Sequence, residues 1–190
     1  MRASDLIKVA TKEIGYVEGK NNSTKYGIAY GMNNVWWCMQ FIWWCFNQTD
    51  KFLFYNGSKC ASCSQFMNWA KGKNQWVTKD FKPGDILIYK WKKSKNVADH
   101  CGICIAANKA SVTAIEGNTS NSSKGSQANG DGVYKKNREY SVVLGAYRPK
   151  YDKEYSEILK ERSGLADSTI EYLSKYKYAD DLFRKLATMK

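Results

Sequence analysis

Residues 82–118 read KPGDILIYKWKKSKNVADHCGICIAANKASVTAIEGN, and this stretch decides the fold class. KPGD (82–85) is turn chemistry, because proline presets φ and glycine accepts backbone angles that other residues avoid. ILIYKW (86–91) is a short apolar run of β-formers and reads as a strand. KKSKNVA (92–98) reads as a basic loop. HCGICIAAN (100–108) and SVTAIEGN (111–118) read as two strands of a hairpin around NKAS.

On the C-terminal side, TSNSSKGSQANGDG (119–132) reads as a long polar loop. VYKKNREYSVVLGAYRP then returns to strands, the last around 141–148. On the N-terminal side, SDLIKVATKEI (4–14) sets Leu6, Ile7, Ala10 and Ile14 at helical spacing behind Ser4 as cap. The Gly- and Asn-rich residues 15–34 read as loop with short extended pieces. VWWCMQFIWWCFN (35–47) is apolar nearly all the way round and too long for a typical strand, so it reads as a buried helix starting near Trp37. CASCSQFMNWA (60–70) suits a second helix with Phe66, Trp69 and Ala70 inward. Helices in front and strands behind imply an α+β fold with an antiparallel sheet.

Residues 151–190 differ in texture. They read as three short helices: 152–162 stopped near Gly164, a second capped by Ser168, and a third over YADDLFRKLATM. Apolar residues from Ile158 to Leu186 supply a small bundle core. The expected organisation is therefore a body over 1–150 and a helical module over 151–190, for wall recognition, self-association or stabilisation of the body.

The 190 residues carry a net charge of +12. Residues 1–150 hold all of it, with 22 Lys and Arg against 10 Asp and Glu, while 151–190 hold eight of each. A basic body favours polyanions such as an anionic cell wall or nucleic acid. No apolar run approaches the roughly 20 residues of a membrane span, and the N-terminus reads as lacking a secretory signal. A membrane partner is not expected. Nucleic acid is not expected either, since most of the tryptophans cluster in one apolar helix and the basic residues are scattered.

There are six Cys and one His. A lone histidine excludes every site that needs two, including HExxH metalloproteases and two-histidine zinc fingers. Cys38 stands at the start of the buried helix, where exposed N–H groups and the helix dipole favour a thiolate. Cys45 lies deeper in that helix and reads as a small core hydrophobe. The only available base is His100, which opens a strand. Glu116 lies in the neighbouring strand of the hairpin, with Asn118 two residues on and on the same face if the strand persists. Cys38, His100, Glu116 and Asn118 thus converge at one end of a helix packed on a sheet, as nucleophile, base and orienting groups require. A rival is a zinc module with four thiolate ligands, built from Cys60, Cys63, Cys101 and Cys104. Their separation exceeds the usual ribbon spacing, and thiols in the core are the default reading.

WWCMQFIWWCF, KPGDILIY, ADHCGICI and AIEGN, in that order, resemble the CHAP family of cysteine, histidine-dependent amidohydrolases and peptidases that cut peptidoglycan. The resemblance covers about residues 4–150 and implies a papain-like fold. It implies Cys38 as nucleophile, His100 as base, Glu116 as the group orienting His100 and Asn118 as additional polar support. The Cys38 backbone N–H would help form the oxyanion hole. The resemblance further implies an endolysin-like muramoyl–alanine amidase or stem-peptide or cross-bridge endopeptidase. Such a protein is held in the host bacterial cytoplasm until the membrane is breached and then acts on Gram-positive peptidoglycan. No cofactor is expected, and the absence of Asp from residues 19–34 gives no support to the calcium loop of some relatives. Trp36, Trp37 and Tyr30 are the expected substrate contacts, with one of the two tryptophans equally able to belong to the core.

Overall fold

The computed structural model describes residues 1–122 and 125–189. The chain divides into two compact units, residues 3–150 with Met1, and residues 151–190 with Arg2.

The larger unit is α+β. Its helices are α1 (Ala3–Lys12), α2 (Lys25–Tyr30), α3 (Cys38–Asn47) and α4 (Cys63–Gly72). Its strands are β1 (Trp76–Val77), β2 (Ile86–Tyr89), β3 (His100–Ala107), β4 (Ser111–Thr119), β5 (Gly132–Glu139) and β6 (Val143–Tyr147). They form one six-stranded sheet in the order β1-β6-β2-β3-β4-β5, and every pairing is antiparallel. The expected hairpin is β3–β4, with Ile103 opposite Ile115. The polar loop expected over 119–132 includes residues 123 and 124, which lie outside the described residues.

The KPGD turn fixes β2 in the middle of the sheet. Asp85 is 1% exposed and accepts from the Lys82 N–H at 2.8 Å. The Arg148 guanidinium grips the same carboxylate twice, at 2.9 and 2.7 Å. Gly84 N–H donates to the Cys104 carbonyl and Cys104 N–H to the Asp85 carbonyl, both at 2.8 Å. The turn therefore joins β2 to β3 directly and to Arg148, the residue after β6.

Helix α3 lies against β3 and β4. A Cβ on Gly117 would stand 2.7 Å from Phe41 Cβ and from Trp37 Cζ3. Only glycine allows this approach of helix to sheet. Phe41, Ile42 and Phe46 are fully buried, so α3 behaves as a core helix, as its all-round apolarity indicates.

Two expectations need correction. Residues 15–34 are not simply loop: α2 lies within them, with the Thr24 side chain accepting from Gly27 N–H and Gly31 ending it at φ 80°. Cap and stop are both local signals, obscured by the surrounding Gly and Asn. The smaller unit has three helices, α5 (Tyr155–Ser163), α6 (Asp167–Ser174) and α7 (Ala179–Thr188), but Ser168 does not cap the second. Its cap position is Ala166, without a side-chain bond, and Asp167 supplies the acidic first turn. Leu159, Ala179 and Phe183 form the core of this unit, with Ile170 and Leu173 against them.

Candidate active site

Cys38 is the first residue of α3. Its predecessor Trp37 is fully buried, stacks on Tyr26 at 5.3 Å between ring centres and donates its indole N–H to Glu18 at 2.5 Å. This anchors the start of the helix. The first N–H groups of α3 have no partner within the helix and favour negative charge beside them.

His100 opens β3. The preceding Asp99 closes the basic loop, accepting from Trp91 N–H at 2.7 Å and Asn96 Nδ2 at 2.9 Å and from the Ser94 hydroxyl. Its own N–H bonds the Tyr89 carbonyl at 2.8 Å, so the loop returns to the sheet in the register that starts β3 at His100. The His100 ring is fully buried, with Tyr89 and Trp91 about it at 6.0 and 6.1 Å between ring centres.

His100 Nε2 lies 3.1 Å from Glu116 Oε2. The Glu116 side chain crosses β3 at Gly102, where a Cβ would stand 2.7 Å from its Cγ. The glycine two residues after His100 leaves the channel through which the carboxylate reaches the imidazole. Glu116 is fully buried and is held from its other side by Arg138 of β5, whose Nε and Nη2 donate to Oε1 and Oε2 at 2.9 and 2.5 Å. Arg138 in turn lies over the Trp91 ring at 5.1 Å. Arg138 is the functional residue that the sequence reading missed. It lies 22 residues from Glu116, among other basic and polar neighbours, and no local pattern marks it.

Three sulfurs meet at the site. Cys38 Sγ lies 3.9 Å from Cys63 Sγ, the first residue of α4, and Cys38, Cys63 and Cys101 Sγ all lie within 4.8 Å of one another. The thiols of Cys101 and Cys63, directed at Cys38, hold its pKa well below the usual thiol range, and His100 adds to this against the opposing effect of burial. Burial and the Cys38 charge push Cys101 well up. Burial disfavours the His100 imidazolium, but attraction to Cys38 and Glu116 outweighs it and raises the pKa to about 9. Burial likewise opposes the Glu116 carboxylate, and His100 and Arg138 bring its pKa below the ordinary value. Both shifts act in the same sense, favouring a Cys38 thiolate beside a His100 imidazolium. His100 Nδ1, the nitrogen not committed to Glu116, makes no hydrogen bond of ordinary length.

Asn118 stands apart from this chain of contacts. A bulge interrupts the pairing of β4 with β5 between Glu116 and Thr119, and Asn118 takes φ 59° there, so although β4 continues to Thr119 its regular alternation is broken and the same-face argument fails. Its amide donates to the Ala128 carbonyl at 3.2 Å and its own carbonyl accepts from Gly130 N–H at 3.0 Å. It ties down the 128–130 segment.

Of the expected substrate contacts, Trp36 is 56% exposed and Trp37 fully buried. Trp37 is a core side chain, because its stack on Tyr26 and its bond to Glu18 take it out of any groove. Tyr30 is also withdrawn, at 8% exposure, with its ring edge-on to Trp43 at 5.0 Å and Lys59 Nζ over it at 5.1 Å. The four-thiolate zinc module does not form either: Cys60 Sγ faces the Ser62 carbonyl at 3.5 Å, and Cys104 packs among Phe81, Leu87 and Tyr89.

Residues 29–118 match the model of the CHAP domain, a span that contains Cys38, His100 and Glu116. This stretch, just under half of the chain, is similar to a CHAP domain. Arg138 falls beyond the matched span of that domain. Among solved structures, that of the wild-type endolysin LysIME-EF1 is similar at 13% identity, with a TM-score of 0.48 over 80% of this chain and 66% of that one. The chain therefore spans just under two thirds of that protein's length. No curated protein matches the chain. Among the described residues, no helix is long and apolar enough to cross a membrane.

Proposed function

We propose that the chain is a peptidoglycan hydrolase that cleaves an amide bond of the bacterial wall by acyl transfer through Cys38. The observation that carries this reading is the buried series Cys38, His100, Glu116 and Arg138, which starts at the N-terminus of α3 and whose first three members lie in the residues that match the CHAP domain. In this reading the Cys38 thiolate attacks the amide carbonyl carbon. The resulting oxyanion is stabilised by N–H groups at the start of α3. The His100 imidazolium gives its proton to the leaving amine as the C–N bond breaks, leaving a thioester on Cys38. Water then attacks the thioester, His100 takes up a proton, and the carboxylic acid leaves with Cys38 restored. Glu116 holds the imidazole and supports its charge, and Arg138 keeps Glu116 ionised. Exposed Trp36, two residues before the nucleophile, is the substrate contact of this reading.

The basic body suits an anionic wall, and the helical unit over 151–190 serves wall recognition or self-association. The chain acts after the host membrane is breached, as an endolysin does. Purified Gram-positive peptidoglycan digested with wild type and Cys38→Ala in parallel tests the reading. Release of amino groups by the wild type alone is expected, and fragment masses distinguish amidase from endopeptidase. Equal release by Cys38→Ala, or none by folded, reduced wild type on several wall types, overturns it.

A further inference from the structure

The proposed mechanism uses one thiol, yet three buried thiols converge on the same point. We propose that Cys38, Cys63 and Cys101 form a three-thiolate Zn2+ site, and that metal bound there masks the nucleophile. The masking rests on the hydrolase reading. The metal site rests on geometry alone.

The sulfur spacing fits. With Zn–S near 2.3 Å, a tetrahedral site has S–S edges of about 3.8 Å. Cys38 and Cys63 are 3.9 Å apart, and all three sulfurs lie within 4.8 Å of one another. They come from the first residue of α3, the first of α4 and the second of β3, so the site is assembled only in the folded chain. All three residues are buried.

The fourth position of the tetrahedron is left to a solvent molecule. His100, outside this group of sulfurs, is fully buried, and its Nδ1 has no hydrogen-bond partner among the described residues. Its other nitrogen is already engaged by Glu116, which Arg138 fixes in turn. Three thiolates favour zinc over hard cations. Coordination displaces the thiol protons to solvent and needs no other reactant. It also occupies the lone pair with which Cys38 would attack.

The test uses the full chain, reduced and stripped of metal, titrated with Co2+ as a spectroscopic probe. One Co2+ per chain is expected, with sulfur-to-cobalt charge-transfer bands and the visible bands of a tetrahedral ion, and Zn2+ should displace it. Cys63→Ser and Cys101→Ser should each weaken binding by about tenfold or more, since even loss of an outer-shell partner costs that much. Cys60→Ser and Cys104→Ser should leave the bands in place. Because a core variant can misfold, the wild type carries a second measurement: Zn2+ should slow alkylation of Cys38 by iodoacetamide, and a chelator should restore it. Absence of charge-transfer bands in the wild type, or undiminished bands in folded Cys63→Ser, overturns the site. Unprotected Cys38 at saturating Zn2+ overturns the masking. Cobalt binding by a chain that never cleaves peptidoglycan would sink the hydrolase reading and leave the metal site standing. Cleavage without cobalt binding would do the reverse.

Discussion

Replacing Arg138 by methionine keeps much of the side-chain length and removes both donors to Glu116. The carboxylate would stay fully buried, losing bonds of 2.9 and 2.5 Å and keeping only His100. Breaking a buried ion pair from one side costs about 3–5 kcal/mol, because the remaining charge is uncompensated. At about 2–4 °C per kcal/mol for a chain of this size, the melting temperature should fall by roughly 6–20 °C. Thermal unfolding followed by far-UV circular dichroism at neutral pH measures it. The pair should also be non-additive: Arg138→Met combined with Glu116→Gln should lose less than the two single changes together, by about 1 kcal/mol or more. The alkylation rate of Cys38 should fall in Arg138→Met, since a Glu116 less firmly ionised supports the imidazolium less. A melting point within about 2 °C of wild type, with strictly additive single changes, would refute the argument that Arg138 compensates the buried carboxylate.

Other outcomes follow from the same geometry. The rate of wall cleavage should decline as pH rises through about 9, where His100 loses the proton intended for the leaving amine; a profile still rising there would contradict that role. Stability has a matching sign. The raised pKa of His100 gives stabilisation that is complete below its ordinary value of 6.5 and is lost as pH rises through about 9, whereas the depressed pKa of Glu116 gives stabilisation lost on acidification. Melting temperature against pH should therefore fall at both ends. Trp37→Ala should cost about 3–5 kcal/mol as a core deletion, while Trp36→Ala should stay within about 0.5 kcal/mol and raise KM for wall fragments; equal melting points for the two would contradict their opposite burial. Deleting residues 152–190 should reduce pelleting with cell walls. Unchanged pelleting by a folded truncation would rule out wall recognition by that unit.

The sequence was most legible where chemistry and periodicity agree. The run from Trp37 to Asn47 could only be a buried helix, and the β3–β4 hairpin followed from two β-rich runs around a short polar turn. Cys38, His100 and Glu116 were accessible because a nucleophile, the lone histidine and an acid on the next strand leave few arrangements. Arg138 was not accessible, because its partnership runs across the β4–β5 pairing and depends on a register that no local signal sets. The grouping of Cys63 and Cys101 with Cys38 was not accessible for a related reason. CxxC spacing groups cysteines along the chain, whereas packing selects one member of each pair and joins them to Cys38. Asn118 shows the limit of period-two reasoning, since one left-handed residue at a bulge ends the alternation on which its placement depended.

Gly117 has a further consequence. An alanine there would have to move a helix 2.7 Å away out to ordinary contact, a displacement of about 1 Å, and misplacement on that scale can reduce a rate by about 100-fold. The spacing between sulfur and imidazole is thus gauged by a missing methyl group, at a position that takes no part in the chemistry. Selection for rate acts there on volume alone, so that position can be as intolerant of change as the nucleophile while offering nothing to a substrate, a proton or a metal.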